Sequence, residues 1–306
     1  MTTSFEQGVP TGTIIQGKWH KREYRVERLL GEGANGKVYL VRKGTQSFAL
    51  KIGFDTADDQ SEVNALKALS KSGTSFKHYL LDVDDFHYQG RDLPFCVMRY
   101  VKGQTLSDFV MHRGEDWIYL IGMNLLRKLV ELHGQGYIFG DLKAENMLVS
   151  GYGDVELIDF GGVTPAGRSV KQFTEVYDRG YWGGGSRSAD EGYDLFAFAI
   201  LLIGGTDRAA MRKQGLKQLL PQNRTVETLL DMLQENRHLS HVQTVLRKAL
   251  LGQYGSSREA LADWRRQSYP RPALASRVVR GSWLKLCFAA SLLLFGFTVY
   301  LFWPFP

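Results

Sequence analysis

Phe139 to Asn146 reads FGDLKAEN and Leu157 to Gly161 reads LIDFG, with Asp159 lying 13 positions after Asn146. Outward from this stretch the chain differs in character on its two sides. Towards the N-terminus, YRVERLL from Tyr24, KVYLVRK and SFALKIG read as an antiparallel meander of β-branched and aromatic residues, with a turn at Gly44-Thr45. A helical segment near Ser61–Leu69 follows, then the strand-like runs HYLLDVDDFHY and LPFCVMRYV. Towards the C-terminus the periodicity turns helical: Ile118, Ile121, Leu125, Leu129 and Leu132 define one long amphipathic helix. Helices are also expected over Tyr193–Ile203, Val226–Leu233, His241–Leu250 and Ser257–Gln267. The fold class is therefore α+β, a small β-rich lobe preceding a larger helical one.

Gly31, Gly33 and Gly36, followed by Val38, make G-x-G-x-x-G-x-V between two strands. Glycines there let the backbone approach phosphate oxygens and present N–H groups to them. The same spacing opens dinucleotide folds, but there the third glycine enters a helix, whereas here a strand and Ala49-Leu50-Lys51 follow. Lys51 would place its ammonium on the α- and β-phosphates of a nucleotide if a carboxylate held it. Glu62 is the only glutamate between Lys51 and Glu115, and so the only glutamate available for that pair. The competing reading of Glu62 is a solvated charge in a helix's first turn.

With FGDLKAEN and LIDFG, these motifs resemble the Hanks-type, eukaryotic-like serine/threonine protein kinases, over roughly residues 24–266. The resemblance implies a two-lobed kinase fold. It also implies that Asp141 accepts or orients the substrate hydroxyl proton, that Lys143 neutralises the transferring phosphoryl group, and that Asn146 and Asp159 hold Mg²⁺, with Mn²⁺ as an alternative. Met98 would be the gatekeeper, with the backbone of Arg99 and Val101 facing adenine and with Val38, Ala49 and Leu148 completing the ATP site. Asp194 resembles the aspartate that supports the catalytic loop from a buried helix; its competing reading is an ordinary N-cap. Phe139, Phe160 and Leu66 would stack as an apolar spine, or serve as plain core.

Lys143 and Thr174 match the serine/threonine branch rather than the tyrosine-kinase loop. The activation loop offers Thr164, Ser169 and Thr174 as hydroxyls. Departures from the family stand beside these matches. Phe139-Gly140 replaces the usual His-Arg, which removes the guanidinium partner of an activation-loop phosphate. TEVYDRGYWGGG lacks A-P-E, and GQYGSS occupies the approximate place of its partner arginine. These departures motivate one alternative, a nucleotide-binding pseudokinase scaffold.

The 306 residues, 44% hydrophobic, suffice for a large core, and Cys96 and Cys287 form no disulfide framework, which suits a reducing compartment. The N-terminus does not read as a signal peptide. Residues 286–303 are an uncharged apolar run spanning roughly 27 Å at about 1.5 Å per residue, the length of a single transmembrane helix. Trp283, Tyr300 and Trp303 bracket it as interfacial aromatics would, and in this layout the chain resembles the tail-anchored bacterial members of the family. Arg265, Arg266, Arg271, Arg277, Arg280 and Lys285 precede it with no acidic residue from Trp264 on, and these six positives equal the formal net charge of +6. The positive-inside rule then puts the kinase domain in the cytosol, at the cell membrane. The segment could engage a polyanion, either anionic lipid or DNA bound without sequence preference, and so favour self-association for phosphorylation in trans. The expected organisation is a tail (1–22), N-lobe (23–101), C-lobe (102–266), basic juxtamembrane segment (267–285) and span (286–303).

Overall fold

In the computed structural model, which describes residues 8–33, 36–53, 56–71, 73–206, 224–268 and 282–302, the alternating strands close into one six-stranded antiparallel sheet. Its members are β1 (Ile14–Gln16), β2 (Glu23–Gly33), β3 (Gly36–Lys43), β4 (Gln46–Gly53), β5 (Leu80–Tyr88) and β6 (Arg91–Arg99), in the order β1-β2-β3-β4-β6-β5. Gln89 and Gly90, with φ of 50° and 79°, turn β5 into β6, the backbone that two-residue hairpins favour. Between β4 and β5, α1 (Thr56–Ser70) supplies Val63, Leu66 and Leu69 to the core.

The expected tail differs from what is observed. Ile15 of β1 is buried, β1 pairs with β2, and the Val9 N–H donates to the Tyr39 hydroxyl at 3.0 Å. Asp84 of β5 fastens the β1–β2 turn by accepting the N–H groups of Trp19 (2.9 Å) and His20 (2.7 Å), and a Cβ at Gly17 would run into its carboxylate. Asp82 accepts from the Tyr24 hydroxyl at 2.7 Å and pairs with Arg22 at 3.0 Å. The first lobe therefore begins before residue 23.

The helical lobe contains α2 (Leu106–Arg113), α3 (Ile118–His133), α4 (Glu191–Thr206), α5 (Val226–Glu235), α6 (Gln243–Leu250) and α7 (Ser257–Ser268), with short strands β7 (Tyr137–Ile138), β8 (Met147–Val149), β9 (Val155–Leu157) and β10 (Thr164–Pro165). The apolar stripe of α3 faces inward as its periodicity predicts, with Ile118, Ile121, Leu125, Leu129 and Leu132 fully buried. Gly122 lets α7 come close enough to seat Trp264, whose indole N–H donates to the Tyr119 carbonyl at 3.0 Å. From Tyr193 to Ile203, α4 is buried on every face, which explains the unbroken apolar run from Leu195 to Ile203.

Contacts divide the chain into two units, Met1–Ser268 and Tyr269–Pro306. The second contains α8 (Ser282–Phe302), whose side chains are described from Cys287 onward and include the exposed Leu293, Leu294 and Phe302. Among the described residues no helix is long and apolar enough to cross a membrane. Trp303 and the side chains of Trp283 and Lys285 lie outside those residues, as do Arg271, Arg277 and Arg280 of the basic segment. Arg265 and Arg266 end the first unit, and Arg266 is paired with Asp263.

One buried polar cluster ties α3, α4 and α7 together. His133 Nε2 lies 2.9 Å from Asp194 Oδ2, while Nδ1 lies 2.9 Å from Ser257 Oγ and 3.3 Å from Glu191 Oε2. Burial alone would push this imidazole down, but Asp194 and Glu191 outweigh it and raise the pKa to about 9. Hydrogen bonds from His133 and Ser257 hold Glu191 down, to about 2. Because the folded value of His133 exceeds its ordinary 6.5, its stabilisation is complete below pH about 6.5 and is lost as pH rises through about 9. His133→Ala is expected to cost about 3–5 kcal/mol, as removal of one partner of a buried pair does, and to flatten the pH dependence of stability between pH 6.5 and 9. Urea unfolding of both proteins across that range measures this, and parallel pH profiles would refute it.

Candidate active site

The two lobes enclose a cleft of about 900 Å³. Its roof follows from strand geometry: residues two apart share a face, and directly paired residues of neighbouring strands share one too. Val38 pairs with Lys51 and Ala49 pairs with Met98, so all four side chains stand on the same side of the sheet and line the cleft. Gly31, Gly33 and Gly36 line it as well. Gly36 adopts φ of 145°, and a Cβ there would meet the Ile52 carbonyl, so this position is closed to other residues. Met98 is buried, Arg99 and Val101 line the rim, and the Arg99 guanidinium pairs with Glu156 at 2.9 Å. Leu148 lines the cleft from β8.

Lys51 Nζ lies 2.5 Å from Glu62 Oε2 and 3.8 Å from Asp159 Oδ1. The assignment of Glu62 by elimination thus has its geometric counterpart: Glu62 is 2% exposed, not a solvated helix charge. Its other oxygen accepts the Phe160 N–H at 3.2 Å, so one carboxylate joins β4, α1 and the LIDFG stretch. Burial draws the Lys51 ammonium down, but Glu62 and Asp159 outweigh it and keep its pKa above the ordinary value. Glu62 itself is raised, chiefly by burial, which exceeds the opposing pull of Lys51.

On the opposite wall, Asp141 Oδ2 accepts from Lys143 Nζ at 2.6 Å and Oδ1 accepts from the Thr174 hydroxyl at 2.8 Å. The Asn146 amide nitrogen donates to the Asp141 carbonyl at 3.0 Å, which leaves its amide oxygen as the side chain's remaining donor atom for a cation. Asp159 adopts φ of 61°, and its half-exposed carboxylate joins Asn146 in the cleft lining. Phe160, the next residue, is fully buried with its ring 5.8 Å from Phe139. Leu66 belongs to the same core cluster. The carboxylate of Asp194 is fully buried and accepts the N–H groups of Phe139 (2.7 Å) and Gly140 (2.9 Å). It is a support for the catalytic loop, not an N-cap.

Two expected site residues lie outside the cleft. The Thr164 side chain is wholly buried, pairs across to Ile138 and donates its hydroxyl to the Gly162 carbonyl at 2.9 Å, so it is not presented for phosphorylation. Ser169 is exposed. Tyr79, Glu145, Lys171 and Phe173 line the cleft without having been singled out. Tyr79 packs on Phe160 at 4.9 Å, and nothing in its local sequence announces that distant partner. The missing A-P-E pair is replaced by others: Arg179 grips both oxygens of Asp190 at 2.9 and 2.8 Å, and Arg187 binds Asp178 Oδ2 at 2.7–2.8 Å.

Among known proteins, a protein kinase domain model matches residues 24–265. The serine/threonine-protein kinase YabT of Bacillus subtilis is 38% identical over 269 residues, covering 85% of this chain and 76% of that protein. The serine/threonine-protein kinase STE20 of Kluyveromyces lactis is 29% identical over 182 residues, 57% of this chain and 18% of that protein. The structure of vaccinia related kinase 3 superposes with a TM-score of 0.58 over 85% of this chain and 91% of that one; at 14% identity it bears on the fold alone. The cleft, its charged walls and these matches converge: the chain belongs to the protein kinase domain family and is a serine/threonine protein kinase.

Proposed function

We propose that this kinase transfers the γ-phosphate of ATP to serine and threonine hydroxyls of proteins, with Mg²⁺, from the cytosolic face of a membrane. The observation that carries the chemistry is Asp141 with Lys143 and Thr174 on its two oxygens, in the cleft that Lys51 and Asp159 also line. Phosphoryl transfer demands positioning and charge neutralisation more than covalent catalysis. Lys51, steadied by Glu62, would bind the α- and β-phosphates, and the glycines of β2 and β3 would let backbone N–H groups close on the triphosphate. Asp141 would orient the acceptor hydroxyl and take its proton. Lys143, already on Asp141, would neutralise charge on the transferring group. The Asn146 amide oxygen and the Asp159 carboxylate are hard oxygen donors of the kind Mg²⁺ takes, and the metal when bound there would neutralise phosphate charge. A nucleotide-binding scaffold has no need of this set, and no observation favours that alternative.

Membrane attachment is supported by the uncharged run 286–303, by the exposed apolar side chains of α8 and by the flanking basic residues. An anionic leaflet contributes about 1 kcal/mol per nearby positive charge, and DNA offers the same phosphate chemistry with a steep salt dependence. Either polyanion would concentrate molecules for phosphorylation in trans.

Two experiments test this reading. Asp141→Asn should lower kcat by about 10² or more while leaving the fold intact, and Lys51→Ala should lower it as much while also destabilising the first lobe by leaving Glu62 buried without its partner; near-normal autophosphorylation by Asp141→Asn would contradict the assignment. In cell fractionation the full chain should stay with membranes through an alkaline carbonate wash, with its kinase domain open to protease only from the cytosolic side. Release by that wash would rule out a spanning helix.

A further inference from the structure

Position 140 is where the family resemblance puts an arginine, and here the activation segment fills the room that side chain would need. Gly140 adopts φ of 80°, and a Cβ there would lie 2.8 Å from the Gly162 carbonyl oxygen and 3.5 Å from Val170 Cγ1. The same carbonyl is held by the buried Thr164 hydroxyl. Val170 is 8% exposed and forms an apolar cluster of its own with Ile138, Ala189 and Tyr193. Its backbone is fixed as well. The Val170 N–H donates to the Arg187 carbonyl at 2.9 Å, the Gly167 N–H to the Ala189 carbonyl at 2.9 Å, and the Ala189 N–H to the Arg168 carbonyl at 2.7 Å. On the other side Thr164 pairs with Ile138 of β7. The segment is thus laced between the catalytic loop and residues 187–189.

Tyr193 connects this apolar plug to the reacting groups. It shares the buried cluster with Val170, and its hydroxyl donates to Asp178 Oδ1 at 2.8 Å. The other Asp178 oxygen holds Arg187, whose guanidinium lies 4.2 Å over the ring of Phe173. Phe173 directly precedes Thr174, which bonds Asp141. A phosphate needs a guanidinium to order such a segment; an apolar side chain needs only a dry pocket, and Ile138, Ala189 and Tyr193 supply one.

We propose that Val170 is a positioning residue that keeps the activation segment ordered, and Thr174 against Asp141, without phosphorylation. The proposal rests on the phosphotransfer reading of the cleft. Val170 touches none of the reacting groups, so its effect must pass through the segment and appear in kcat rather than in nucleotide affinity.

The test measures steady-state kcat and KM for ATP on the full chain with a protein acceptor. Wild type and Ser169→Ala are dephosphorylated first, and the absence of phosphate is verified by mass. Dephosphorylated Ser169→Ala should keep kcat within about threefold of untreated wild type. Val170→Ser should lower kcat more than about tenfold with KM for ATP changed less than about twofold, and Val170→Ile should restore wild-type values. A loss of more than about tenfold on dephosphorylation, or wild-type kcat in Val170→Ser, overturns the proposal. Should Val170→Ser fail to fold, the dephosphorylation arm decides alone. Absence of transfer by wild type in every state would count against the phosphotransfer reading itself, and the proposal would fall with it.

Discussion

The fully buried carboxylate of Asp194 is the constraint on which the catalytic apparatus depends. It sits on α4, the most deeply buried helix of the lobe, and accepts two consecutive backbone N–H groups, those of Phe139 and Gly140, besides facing His133. A carboxylate without exposure is costly unless its oxygens are satisfied, and hydrogen bonds to a charged acceptor are the strong ones. The loop is therefore not free to move: a shift at residues 139–140 would leave two buried amides unpaired and the buried carboxylate with His133 as its remaining partner. Asp141 inherits its position from that demand. So does Phe139, whose ring carries the constraint to Phe160 and thus to the residue beside Asp159.

A second carboxylate, Glu62, works in the same way from the other lobe. One of its oxygens pairs with Lys51 and the other accepts the Phe160 N–H. Glu62 and Asp194 thus approach the short Asp159-Phe160 stretch from opposite lobes, one through hydrogen bonds and the other through ring packing. Residues that must handle a highly charged nucleotide are in this way positioned by groups whose own charges are already balanced. The departures from the family are consistent with this economy. Gly140 and the missing A-P-E remove two guanidinium partners, while Arg179–Asp190, Arg187–Asp178 and the Val170 cluster fasten the same segment.

The gathering of Asp141, Lys143, Asn146 and Asp159 in one cleft was legible in the sequence because the chemistry of the family they resemble restricts residue types at short spacing, three within one loop and Asp159 soon after. Helix α3 was legible from its apolar period, and Glu62 by elimination. What escaped were partners far apart in sequence and without periodicity. The three residues of β1 are too few to show alternation, and their anchors, Asp82 and Asp84, look like ordinary charges in a strand. Tyr79, His133 with Ser257, and Asp178 with Arg187 likewise acquire meaning only once the fold brings them together. Thr164 misled for the converse reason: a threonine on an activation loop looks available, yet pairing with β7 buries it.

The most direct test of this account is transfer of labelled γ-phosphate from ATP by the purified full chain to a protein acceptor, followed by phosphoamino-acid analysis with and without Mg²⁺. The geometry around Asp141, Lys143 and Thr174 predicts label on serine and threonine, none on tyrosine, and none when the metal is withheld. ATP binding with no label transferred to any hydroxyl would contradict it.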